Sequence, residues 1–270
     1  MAIRVGLFGA GWAARAVHGP SLVSYKRRRR GIVLAGVCDT DPDRAREVCT
    51  AFGFERAYED ARKMLQAADL DAAIVAVSTA HNADVARQCI RRGLPILLEK
   101  PPALTRRRAA ALAQQVGRRR GQVLVAFNRR WAPVLARLRD RAKRAGPVRS
   151  VGCEMRRIAR ADPDFTVTAI HGIDTLRYLA GSDYDRVDFL YGRCGPSGRA
   201  VAYAGQGCMT SGATVRFEAV PMAGMFLERY TVVAGSKMLV AELGQGKGRN
   251  VLLEWSGGKR RELRVRVPSP

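Results

Sequence analysis

Apolar positions fall in short unbroken runs over the first half of the chain, with amphipathic stretches between them. Residues 3–8 (Ile-Arg-Val-Gly-Leu-Phe), 32–38, 71–77, 95–98 and 123–127 read as strands. Residues 15–24, 42–52, 58–67, 83–91 and 104–118 place apolar side chains at helical spacing. Asp41-Pro42-Asp43 marks one helix start, with proline in the first turn. Apolar strands that alternate with helices predict βαβ units and a parallel sheet covered on both faces. After Asn128 the texture changes. Residues 131–144 form a basic amphipathic pattern, 148–157 alternate like a half-exposed strand, and 170–179 read as a helix. Strand-like segments follow at 186–193, 199–209, 213–220, 225–242, 250–256 and 261–267, broken by glycine and proline as in an antiparallel meander. The expected architecture is α/β: a doubly wound parallel sheet over residues 1–127, then an α+β domain over 128–270 with an open, mostly antiparallel sheet.

Composition narrows the class. The 270 residues are 47% hydrophobic, enough to bury a sizeable core without disulfide or metal staples. No stretch approaches the ~20 apolar residues of a membrane span. The amino terminus runs straight into an apolar strand, so no signal peptide is expected. The six cysteines are scattered, with no C-x-x-C pair, and only three histidines accompany them; free thiols in a reducing cytoplasm fit, and a metal site does not. Lys plus Arg outnumber Asp plus Glu by 47 to 24, a formal charge of +23. The basic clusters, of which Lys26 to Arg30 is the longest, are spread along the chain without interleaved stacking aromatics. That pattern argues against a nucleic-acid partner and fits solvated helix faces. It is also compatible with an anionic substrate.

Two segments carry candidate chemistry. Gly9-x-Gly11-x-x-Ala14 follows the first strand and opens the first helix, as a dinucleotide fingerprint does. The first glycine permits the turn, the second lets backbone approach a pyrophosphate, and small Ala14 allows helix and strand to pack closely. Asp39, ending the second strand, is placed to accept hydrogen bonds from a ribose diol, which prefers NAD to NADP; Arg44 would blunt that preference. A Rossmann domain is the reading. A structural turn with no cofactor is the plain alternative. Glu99-Lys100-Pro101 follows the fourth strand at the edge where such sheets bind ligands, and the two prolines after Lys100 suggest a fixed turn, cis or trans. Lysine there can hold or release a proton beside a nicotinamide; an exposed Glu-Lys pair is the ordinary alternative. His171 and Asp174 open the helix at 170–179, and each alone reads as structural, with Asp174 capping the first turn. His18 fits a packing role or an approach to the same cleft. At Thr79, His81 and Asn82, backbone contacts are expected rather than side-chain chemistry.

In this order Gly9-Ala10-Gly11-x-x-Ala14, Asp39, Glu99-Lys100-Pro101, Asn128-Arg129-Arg130 and His171-Gly172-Ile173-Asp174-x-Leu176 resemble the Gfo/Idh/MocA oxidoreductases. The resemblance is good over residues 3–180 and weaker through the second sheet. It implies hydride transfer between a nicotinamide and a carbinol carbon of a sugar, cyclitol or nucleotide-sugar. Lys100 matches the lysine that hydrogen-bonds the reacting hydroxyl, and His171 the histidine that assists it. The implied cofactor set is Gly9, Gly11, Trp12, Ala14, Asp39, Thr79, Glu99 and Lys100. Asn128, Arg129, Thr168 and Asp174 are the implied substrate neighbours. Copies are expected to associate through the second sheet.

Two departures stand out. Family members carry an aspartate four residues before the histidine, where this chain has Val167, flanked by Thr166 and Thr168. Losing one acid–base partner costs about 10²–10⁴-fold in rate if nothing substitutes. Asp162 and Asp164 are near but out of register. The chain also stops directly after a strand-like run, where relatives continue, so a shortened second domain is expected. Two rivals therefore remain: a reductase of a non-sugar carbonyl or conjugated substrate, and an NAD-binding sensor or partner protein with reduced catalysis.

Overall fold

The computed structural model describes residues 2–29, 31–159, 165–193, 200–244 and 249–265. The chain divides into two compact units, Met1–Ala126 and Phe127–Pro270. In the first, β1 (Ile3–Phe8), β2 (Ile32–Cys38), β3 (Ala57–Tyr58), β4 (Ala72–Val75), β5 (Ile96–Leu98) and β6 (Val123–Val125) form one sheet. Its order is β3-β2-β1-β4-β5-β6, and every pairing is parallel. Helices α1 (Gly19–Arg28), α2 (Pro42–Phe52), α3 (Ala61–Ala67), α4 (Thr79–Arg91) and α5 (Arg106–Arg119) connect the strands. Buried Leu7, Leu34, Val37 and Ile74 belong to one apolar cluster of this unit, Phe8, Met64, Ile90 and Leu98 to another. Strand order reverses between β1 and β4, and at such a switch point the carboxyl ends of the strands leave a crevice for a ligand.

Three local features differ from the pattern. The helix after β1 begins with a π turn over Ala14–His18 and runs on to Arg28, so Lys26, Arg27 and Arg28 lie in its last turn, where cations suit the helix dipole. The two-residue β3, too short to show an apolar period, adds a sixth strand by pairing with the end of β2. The helix expected at 170–179 spans Phe165–Ala180, so His171 lies well inside it rather than at its start.

The second unit comprises α6 (Pro133–Ala145), α7 (Phe165–Ala180) and the strands β7 (Val148–Arg156), β8 (Tyr184–Arg193), β9 (Ala200–Met209), β10 (Thr214–Val220), β11 (Leu227–Ala234), β12 (Lys237–Glu242), β13 (Val251–Ser256) and β14 (Lys259–Glu262). The sheet order is β14-β13-β12-β11-β7-β10-β9-β8; β7 and β10 are parallel, the other pairs antiparallel. The single run expected at 225–242 is the hairpin β11–β12. It turns at Gly235, whose φ is +53° and where a Cβ would lie 2.0 Å from the Ala145 carbonyl oxygen, so only glycine fits. Leu135, Leu138, Met155, Leu176, Tyr230 and Leu239 are buried in one core between helices and sheet.

Candidate active site

Within the first unit the carboxyl ends of β1, β2, β4 and β5 collect the residues singled out above. Gly9 has φ +100°, and a Cβ there would sit 2.2 Å from the Ala76 carbonyl oxygen, so the β1 turn is glycine by steric necessity. Gly11 is different: a Cβ at that position meets nothing within 4 Å. The protein does not require glycine at position 11 for packing, and the open space beside it is where a pyrophosphate would approach bare backbone. Ala14 is fully buried, and Trp12 between them is 77% exposed.

Asp39 follows β2 at the next strand along. Its Oδ2 accepts from the Ala10 N–H at 2.7 Å and its Oδ1 from the Asp41 N–H at 3.0 Å. These bonds fix the half-buried carboxylate against the glycine turn, and each oxygen keeps a lone pair for a diol. Arg44 is ion-paired with Asp41 at 3.0 Å on the exposed side of α2. Thr79 is the first residue of α4, after β4.

Lys100 follows β5 and is half-buried. The Lys100–Pro101 peptide bond is cis. Asp39 and Lys100 sit at the ends of strands three places apart in the sheet, about 14 Å at the usual spacing between strands. Glu99 turns back rather than outward: its Oε2 accepts from the Lys100 N–H at 3.1 Å, and its Oε1 lies 3.0 Å from His18 Nε2. Asn82 Nδ2 donates to the carbonyls of Glu99 and Pro101. The expectation of backbone contacts alone at position 82 missed this side chain; an asparagine in the first turn of α4, in phase with buried Ala86, was the available signal. His81 is exposed and bonds Ser78 through Nδ1.

In the second unit Asn128 and Arg129 lie in a 3-10 turn, Asn128–Trp131, ahead of α6. Arg129 forms a two-point ion pair with Glu228, Nε to Oε1 at 2.7 Å and the second pair at 3.0 Å. Glu228 is fully buried and also accepts from Arg157 and from the Tyr230 hydroxyl. Burial pushes its carboxyl up, but the Arg129 hydrogen bonds and the Arg129 and Arg157 charges outweigh that and hold it below the usual carboxylate range. Asp174, also buried, is gripped by Arg130 through both oxygens, at 2.8 and 2.5 Å, and does not cap the first turn of α7. His171 and Thr168 are half-buried on α7; Val167, one helical turn before His171, shares its face. Gly172 lets the helix approach the sheet: a Cβ there would lie 2.6 Å from the Phe217 ring and 2.8 Å from Met155 Sδ. Asp162 and Asp164 lie outside the described residues.

Residues 3–127 match the model of an oxidoreductase family with an NAD-binding Rossmann fold, and this unit belongs to that family, Gfo/Idh/MocA. Among curated proteins, inositol 2-dehydrogenase of Rhizobium meliloti (strain 1021) is 31% identical over 193 residues, 68% of this chain and 56% of the relative. Inositol 2-dehydrogenase 4 of Saccharopolyspora erythraea is 30% identical over 201 residues, 71% of this chain and 58% of the relative. The matched stretch thus spans a little over half of these relatives. A solved levoglucosan dehydrogenase in complex with NADH and L-sorbose superposes with a TM-score of 0.85 at 21% identity, covering 99% of this chain and 80% of the other. UDP-N-acetylglucosamine 3-dehydrogenase from Acidithiobacillus ferrooxidans gives 0.81 at 19% identity, covering 100% and 85%. At such identity the likeness establishes the fold, a Rossmann domain followed by a mostly antiparallel sheet.

Proposed function

We propose that this protein is an NAD-dependent oxidoreductase that moves hydride between the nicotinamide and a carbinol or carbonyl carbon of a sugar, cyclitol or nucleotide-sugar. One observation carries the reading: along a single sheet edge stand a glycine turn with open space at Gly11, a fixed carboxylate at Asp39 and, three strands from it, Lys100. The turn Gly9–Ala14 would hold the pyrophosphate at the start of the first helix, and Asp39 the adenosine ribose. Thr79 and Glu99 border the same edge. The cofactor supplies a hydride acceptor or donor when bound. Lys100 hydrogen-bonds the reacting hydroxyl and takes or returns its proton, with His171 assisting. Val167 supplies no carboxylate, so the lysine and histidine carry the proton handling between them. Asn128, Arg129 and Thr168 are the proposed substrate neighbours. Asp174 enters through Arg130, whose place it fixes. Neighbouring proteins that act on inositol, levoglucosan or UDP-N-acetylglucosamine support the polyol substrate class. We extend the reading to association of copies through the second sheet.

Titration calorimetry with NADH and NADPH on cofactor-free protein is the first test, with tight NADH and much weaker NADPH binding expected. Binding of neither nucleotide would remove the redox reading. With a substrate in hand from a polyol screen, Lys100→Ala should lower turnover by about 10²-fold or more while NADH still binds. Full turnover in that variant would refute the assignment of Lys100.

A further inference from the structure

Lys100 is the residue on which the proposed chemistry turns, yet three side chains that take no part in its proton transfer hold its main chain. Asn82 is 1% exposed, and its Nδ2 donates to the carbonyl before Lys100 (Glu99 O, 3.2 Å) and to the one after it (Pro101 O, 3.1 Å). Its other end, Oδ1, is buried without a hydrogen-bond partner among the described residues. A buried amide costs stability unless it is bonded, so the compensation for placing one here comes from those two carbonyls alone. From the other side, the Lys100 N–H donates to Glu99 Oε2, and Glu99 Oε1 is paired with His18 Nε2. His18 is 6% exposed and stands at the end of the π turn Ala14–His18, closed by the Gly19 N–H bonding the Ala14 carbonyl. Such turns insert one residue into a helix and rotate its remaining turns by about 100° relative to a regular one. Next to it, Gly19 packs against the Phe52 ring, where a Cβ would lie 2.4 Å away, so this part of the helix has little room to move.

We propose that Asn82 and the His18–Glu99 pair are positioning residues that clamp the main chain on both sides of Lys100 and so aim its side chain along the sheet edge. The clamp spans three elements: α4 through Asn82, the π turn through His18, and the end of β5 through Glu99. None of the three side chains has to touch substrate. The inference rests on Lys100 being the proton-handling residue, but its test does not need turnover.

Competitive acetylation with isotope-coded acetic anhydride, read by mass spectrometry from pH 6 to 10, reports the reactivity and titration of each lysine amine. Lys26 and Lys63, both exposed on helices of the same unit, are internal references. Asn82→Ala and His18→Leu should each change the Lys100 rate relative to these references by about fivefold, the order a lost hydrogen bond produces, and displace its titration midpoint. His18→Gln keeps an N–H donor for Glu99 and should restore the wild-type value. A purely structural role would lower the melting temperature and leave the relative rate of Lys100 unmoved. Wild-type labelling of Lys100 in folded His18→Leu overturns the clamp, and this pair decides the matter if Asn82→Ala does not fold. Turnover surviving Lys100→Ala would instead overturn the role of Lys100 and leave the labelling result standing.

Discussion

Two glycines of the fingerprint turn look alike in sequence and do different work. Gly9 answers to the protein, since its positive φ and the Ala76 carbonyl leave no place for a side chain. Gly11 answers to a ligand, since a Cβ would enter open space. Gly9→Ala should therefore destabilise the unit by about 1–3 kcal/mol or more through backbone strain and overlap. Gly11→Ala should leave the melting temperature within a degree or two and weaken NADH binding by about tenfold or more, because the methyl group occupies the approach to the phosphates. Calorimetry and a thermal melt on both variants separate the two roles; unchanged NADH affinity in Gly11→Ala would remove the pyrophosphate from this turn. The spacing of Gly9, Gly11 and Asp39 was visible in the chain because each follows an apolar strand. The unlike needs of the two glycines were not, since they depend on what lies across the sheet at Ala76.

At the scale of elements, the parallel sheet was legible because its strands are nearly unbroken apolar runs, and only the two-residue β3 escaped. Most of the alternating strands of the second unit were legible too, although the run at 225–242 hides a turn and the last strand lies at Lys259–Glu262 rather than 261–267. Two carboxylates in them are buried. Glu228 is in phase with inward Tyr230 and Val232 on β11, and Glu254 with inward Leu252 on β13. An acid on the apolar phase of a strand was the signal, and its partners lie far along the chain: Arg129 and Arg157 for one, Arg141, Lys237 and Arg261 for the other. Through Arg129 and Arg130, the turn carrying Asn128 is tied to β11 and to α7. Glu228→Ala should cost about 3 kcal/mol, because it strands two half-buried cations around the place of a fully buried carboxylate. Urea unfolding measures this, and a loss under 1 kcal/mol would mean that the arginines find other partners. Glu228→Gln should unmake the Arg129 pair more gently and show, through a raised KM at smaller loss of kcat, whether that turn meets substrate.

Charge is a property of the whole molecule, and here it makes acid the sensitive direction. At +23 the chain already repels itself near neutrality, and each carboxylate protonated adds to that repulsion. Glu254 sharpens the effect. Burial pushes its carboxyl up, but Arg141, Arg261 and Lys237 together bring it from the ordinary 4.5 to about 2. A folded-state value below the unfolded one means that the unfolded chain binds more protons on acidification. Its contribution is therefore complete above about pH 4.5 and is lost as pH falls from there toward 2. Glu228, lowered in the same direction, acts in the same sense. Stability should fall steadily below about pH 4.5. Salt should raise it at every pH by screening the diffuse surface repulsion, while the buried pairs, screened far less, keep their pH slope. Glu254→Gln should be less stable than wild type at pH 7 and flatter below pH 4.5, by up to about one proton in the linkage slope. Urea midpoints from pH 7 to 3, at low and moderate salt, read both effects at once. A variant whose slope matches wild type would remove Glu254 from the acid sensitivity and leave it to Glu228 and surface repulsion. A salt response that lowers stability would show that ion pairs outweigh the net charge.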